Sequence, residues 1–96
     1  MGKDYSETAN YKIWQLNRKK ENATDEVKIK IDLAINLIKL RTKKKLSQIE
    51  LSKELKVNQK NISQWEKGKV SPSLKYLVVI SKFYNVTINE LLEPSK

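Results

Sequence analysis

Residues 46–68 read LSQIELSKELKVNQKNISQWEKG, and two helix-start signals fall close together within them. Ser47 stands as an N-cap with Glu50 three residues later, the reciprocal pattern of a capping box, and Leu46 and Leu51 occupy the two positions of a hydrophobic staple. The helix this opens has Ile49, Leu51 and Leu55 as its apolar positions and stops at the Lys56-Val57 turn. Asn58 then caps a second helix, with Val57 and Ile62 placed as another staple. Ile62 and Trp65 form its inward face, and Gly68 is its expected stop. Each start fixes its own entry angle, so the stretch sets two short helices at an angle to each other.

Upstream, Leu33, Leu37 and Leu40, with Ala34 and Ile38 filling the stripe, predict a helix over 32–44. Its carboxyl end carries Arg41, Lys43, Lys44 and Lys45, where the helix dipole favours cations. Just before it the reading is divided. Val27, Ile29, Ile31, Leu33 and Ile35 alternate with period two as a strand would, whereas Asp25 and Glu26 suit the first turn of a helix. Residues 1–24 are polar, apart from an island at Tyr11, Ile13, Trp14 and Leu16 and the basic run Arg18-Lys19-Lys20, and read as a partly ordered arm.

Downstream of a turn at 70–73, a fourth helix is expected to turn Leu74, Leu77, Val78, Ile80, Ser81 and Tyr84 to the core. Tyr76, Val79 and Phe83 then fall on a side away from it, so a partner subunit or the Tyr11–Leu16 island should cover them. A last short helix opens at Thr87, with Glu90 completing a capping box and Val86 and Leu91 a staple.

Composition bounds the function. At 96 residues the chain is one domain at most, and 20 Lys+Arg against 11 Asp+Glu give +9, a balance that favours a polyanionic partner. With neither cysteine nor histidine, the Ser/His/Asp and Cys/His nucleophile arrangements and N/S zinc ligand sets are out of reach. Glu50 and Glu54 sit beside Lys53 on one helix face, which reads as a solvated surface rather than an acid–base pair. No enzyme activity, metal or cofactor is therefore expected. The longest apolar run, Leu77-Val78-Val79-Ile80, is far short of a membrane span, and MGKDYSETANYK lacks the apolar region of a signal peptide, so a cytoplasmic location is expected.

The segment from about Leu33 to Leu92 resembles the phage-repressor and Cro class of helix-turn-helix DNA-binding domains, the XRE family. The resemblance is carried by Arg41, Leu46-Ser47-Gln48, Leu51, Leu55, Val57, Ile62-Ser63-Gln64-Trp65-Glu66-Lys67-Gly68-Lys69, Pro72, Leu77, Val86 and Glu90-Leu91-Leu92. It implies an all-α fold: a five-helix, lambda-repressor-like domain over 31–96, preceded by a basic extension over 1–30. Two departures stand out. Lys56 occupies a left-handed turn position usually held by glycine, and Ser52 and Ser81 replace alanine at helix contacts, where their hydroxyls can bond back to their own helices.

In such domains the second helix of the pair enters the major groove, which makes 58–67 the reading helix. With Ile62 and Trp65 inward, the base-reading residues are Gln59, Lys60, Ser63 and Gln64; glutamine amides suit adenine, and an ammonium suits guanine. Phosphates are assigned to Ser47, Gln48, Asn58, Asn61, Lys67 and Lys69. Between residues 41 and 69 nine basic residues face three acidic ones, a local +6. Arg41 and Glu66 are expected, from the resemblance, to form a buried bridge that orients the reading helix. A homodimer on inverted half-sites is implied, with Tyr76, Val79, Phe83, Ile88, Leu91 and Leu92 as contact candidates. The leading function is a sequence-specific transcriptional repressor of bacterial or phage type. The alternative is a HigA-like antitoxin whose residues 1–30 bind a toxin partner.

Overall fold

A computed structural model describes residues 5–94; residues 1–4 and 95–96, the outer ends of the expected extension and domain, lie outside the described residues. Six helices follow one another, with no strand among the described residues. They are α1 (Tyr5–Lys20), α2 (Asp25–Lys43), α3 (Gln48–Leu55), α4 (Gln59–Glu66), α5 (Leu74–Tyr84) and α6 (Ile88–Leu92). Helices α2 to α6 correspond to the five expected over 31–96, but α2 begins at Asp25 rather than at 32 and so reaches into the expected extension, which also holds α1.

The divided reading at 25–35 resolves as helix. Thr24 caps α2 by accepting the Val27 N–H at 3.4 Å, and Asp25 and Glu26 occupy the first turn. Over 31–35 the period-two alternation is the sum of two helical stripes, because α2 is covered on two sides. Ile31, Ala34, Ile35 and Ile38 pack with Ala9 and Leu16 of α1. Leu33 and Leu37 face the other way, into a core with Leu51, Leu55, Val57, Ile62, Trp65, Ile80 and Leu91. Val27 and Ile29, before both layers begin, are exposed.

Local chemistry sets the helix starts. Ser47 Oγ accepts the Glu50 N–H at 3.0 Å while Glu50 Oε1 accepts the Ser47 N–H at 2.9 Å, and Thr87 and Glu90 repeat the box at 3.0 and 2.8 Å. Asn58 Oδ1 accepts the Lys60 N–H at 2.8 Å. Lys56 adopts the left-handed conformation, with φ 56° and ψ 47°. The Ser52 and Ser81 hydroxyls donate to the carbonyls of Ile49 and Val78. Gly68 closes α4 with φ 74°.

Four expectations about apolar faces are corrected. Ile49, assigned to the inner stripe of α3, is 58% exposed. On α5 the packing face is rotated: Tyr76, Val79 and Phe83 lie half-buried against the core with Leu77 and Tyr84, while Leu74 is 71% exposed and Val78 faces solvent. The cause is tertiary. The Tyr76 ring sits 5.5 Å from that of Trp65, and Phe83 meets Tyr84 edge-on at 5.0 Å beneath the Lys44 ammonium. Leu91, a candidate for an intersubunit contact, is wholly buried, and Asn36 donates to its carbonyl at 2.7 Å. The Tyr11–Leu16 island does fold back, but onto α2 rather than α5, with Leu16 and Ala9 inward and Tyr11 and Trp14 exposed.

Candidate nucleic-acid interface

The interface is built around α4. Its buried side is Ile62, Trp65 and Glu66. On the opposite side Gln59, Lys60 and Asn61 are exposed, and Ser63 and Gln64 are half-buried along its edges. All four base-reading candidates thus belong to one short rod whose back is fixed in the core. Asn58 and Ser47 cap α4 and α3, each using one first-turn N–H and leaving others of that turn for solvent or an anion. Lys67 and Lys69, exposed, flank Gly68 just beyond α4.

Behind the rod lies a polar relay. Arg41 Nε donates to Glu66 Oε2 at 2.7 Å and Nη2 to Oε1 at 2.9 Å, a two-pronged pair in which both side chains are buried. Arg41 Nη1 also donates to the Leu46 carbonyl at 2.8 Å, tying α2 to the start of the two-helix unit. Gln48 Nε2 donates to Glu66 Oε1 at 3.0 Å, and Gln59 Nε2 donates to Gln48 Oε1 at 2.8 Å. Charge-assisted bonds of this geometry are among the stronger polar contacts. The relay runs from the buried bridge out to Gln59 and holds its amide nitrogen, while the Gln59 side-chain oxygen has no hydrogen bond among the described residues. The position of Gln48 in this relay was not legible in the sequence, where it read only as a phosphate-binding residue.

The same pocket of charge reaches Tyr84. Its hydroxyl is buried with no hydrogen-bond partner among the described residues. Burial foremost, and then the Glu66 carboxylate, push its pKa above the ordinary tyrosine value, against the opposing pull of Arg41. No grouping of three or more metal-ligating side chains exists among the described residues, and no described helix is long and apolar enough to cross a membrane.

Comparison with known proteins agrees with this architecture. The family model described as Helix-turn-helix matches residues 37–91. The chain is similar to the HTH-type transcriptional activator BcrR of Enterococcus faecalis, 50% identical over 56 residues, which are 58% of this chain and 28% of that protein. It is also similar to an uncharacterized HTH-type transcriptional regulator of Methanocaldococcus jannaschii, 44% identical over 46 residues, 48% of this chain and 70% of that protein. No solved structure matches.

Proposed function

Because the chain belongs to the helix-turn-helix family, of the XRE type, we propose that it is a sequence-specific regulator of transcription that binds double-stranded DNA and reads the major groove with α4. The observation that carries this is the two-sidedness of α4: Ile62, Trp65 and Glu66 are buried, and Gln59, Lys60 and Asn61 point outward, within a segment, 41–69, of net charge +6. Gln59, Lys60, Ser63 and Gln64 read base edges. Ser47, Gln48, Asn58, Asn61, Lys67 and Lys69 hold phosphates, and Arg41 with Glu66 fixes the orientation of the helix. Residues 31–96 act as the DNA-binding domain and 1–30 as an accessory element, joined within α2.

The regulator acts as a repressor by occupying its operator. BcrR is named an activator, but the segment it shares with this chain is 28% of its length, so the direction of regulation is not inherited with that segment. It binds as a homodimer, drawing on the half-buried Tyr76, Val79, Phe83, Ile88 and Leu92. Selection of bound sites from random duplex DNA tests the whole reading. Enrichment of a motif with inverted half-sites supports it; recovery of sequences no different from the starting pool discards it.

The HigA-like antitoxin reading keeps one specific support. On α1 Tyr11 and Trp14 stack at 6.2 Å and are 60% and 54% exposed, a surface suited to a protein partner. Co-expression with the product of a neighbouring open reading frame decides it. A stable complex lost on Trp14→Ala supports an antitoxin, and no complex with the intact chain rejects it.

A further inference from the structure

We propose that α1 is a second DNA-contacting element. Its Lys12 and Lys19, together with Gln48, Lys67 and Lys69, form a groove that seats a backbone phosphodiester beside the half-site read by α4. The inference rests on the DNA-binding reading above and extends the contact surface to a helix outside residues 37–91.

Lys12, Gln15, Leu16 and Lys19 recur at i, i+3, i+4 and i+7 and share one face of α1. Leu16, at the middle of that face, is buried against α2. It also abuts the end of the reading helix: a Cβ added to Gly68 would lie 3.3 Å from Leu16 Cδ2. At the end of α1, Lys20 donates to Asp32 of α2 at 2.7 Å. Leu16 and Lys20 therefore fix which side of α1 turns toward α4. Across the gap stand Gln48 from the start of α3, Ser63 from α4, and Lys67 and Lys69 on either side of Gly68, enclosing about 290 Å³.

Four lysines line this space, Lys12, Lys19, Lys67 and Lys69. The one carboxylate there, Glu66, is already engaged by Arg41 and Gln48. Like charges around one space repel one another, and an anion between them relieves that repulsion. The groove runs from the amino end of α3, a helix start of the kind that holds phosphates, to the turn after α4, where the proposed phosphate contacts Lys67 and Lys69 lie. That continuity selects the duplex backbone over an acidic protein surface as the occupant.

The test uses the full chain and its selected duplex, with affinity measured from about 50 to 200 mM salt. Lys12→Gln/Lys19→Gln is compared with Lys53→Gln/Lys82→Gln, which removes the same charge from exposed positions that do not line the groove. Each lost phosphate contact makes the log–log slope shallower by about 0.9, so the groove variant, which loses its one seated phosphodiester, should be shallower by about 0.9, a roughly 3.5-fold smaller loss of affinity over a fourfold salt rise. The comparison variant should keep the wild-type slope, and Lys12→Arg/Lys19→Arg should restore it. A groove variant with the wild-type slope, or one that merely tracks the comparison variant, overturns the proposal even though wild type binds and Lys69→Ala weakens binding. A wild-type chain that binds no duplex fails the underlying reading, and this one with it; the wild-type and Lys69→Ala arms tell the two failures apart.

Discussion

Glu66 accepts three hydrogen bonds, two from Arg41 and one from Gln48, in a place water barely reaches. Its removal strands a buried guanidinium, so Glu66→Ala should lower the unfolding free energy by about 3–5 kcal/mol, while Arg41→Met/Glu66→Leu should recover most of that loss. Urea unfolding of both variants checks it, and a single-variant loss below about 1 kcal/mol would contradict it. Reading and holding separate in the same way. Gln64→Ala should relax base choice at one or two positions with little change in salt dependence, whereas Lys69→Ala should weaken all sequences alike, as competition against scrambled duplexes would reveal. Tyr84 supplies a pH test. The folded state raises the pKa of its hydroxyl above the 10.0 of the free side chain, so it resists ionisation that the unfolded chain undergoes freely. The stability this contributes is whole below pH 10 and falls as pH rises past it. Tyr84→Phe should be neutral or stabilising at pH 7, since it deletes an unpartnered buried hydroxyl, and should flatten the alkaline loss. An unchanged alkaline slope in that variant would assign the effect elsewhere.

At the scale of the element, Lys56 ends α3 in a conformation that its Cβ opposes. A left-handed residue with a side chain costs about 1–2 kcal/mol, and the greater freedom of glycine in the unfolded chain returns about 0.5–1 of that. Lys56→Gly should therefore stabilise by roughly 0.5–1 kcal/mol in urea unfolding, and a loss would show that the lysine has a compensating role. Turns and starts of this kind were legible in the sequence because a cap is decided by residues within one turn: Ser47 with Glu50, Asn58, Thr87 with Glu90, and Gly68. Faces were less legible. The stripe of α5 depends on where the Trp65 ring lies, and nothing local to 74–84 records that. The alternation at 27–35 concealed a helix because Ile31 and Ile35 belong to one layer, Leu33 to the other, and the exposed Val27 and Ile29 to neither. Ala9, on the buried side of α1, has too small a side chain to register as an apolar signal. In the candidate site, the outward residues of α4 followed from Ile62 and Trp65 alone. The Gln59–Gln48–Glu66 relay joins two helices, and no spacing rule reports it.

For the molecule as a whole, α2 is the wall shared by two packing layers, one with α1 and one with α3 to α6. The layers differ in depth. The α1 layer has Ala9, Leu16, Ile31, Ala34, Ile35 and Ile38 as its buried members, whereas the other is closed by aromatic rings and the buried bridge. A shallower layer opens before the whole molecule does, so α1 should behave as a unit that undocks from an otherwise intact α2–α6 body. Leu16 controls that step, because it is buried against α2 and abuts Gly68. Truncating a buried leucine to alanine removes about 2–5 kcal/mol. If the two layers open separately, Leu16→Ala should speed amide hydrogen exchange along α1 at least about thirtyfold, while leaving α3 and α4 near their wild-type protection. Equal acceleration across all the helices would make the two layers one cooperative unit. In that event the groove between α1 and α4 could be lost only by unfolding the reading helix itself.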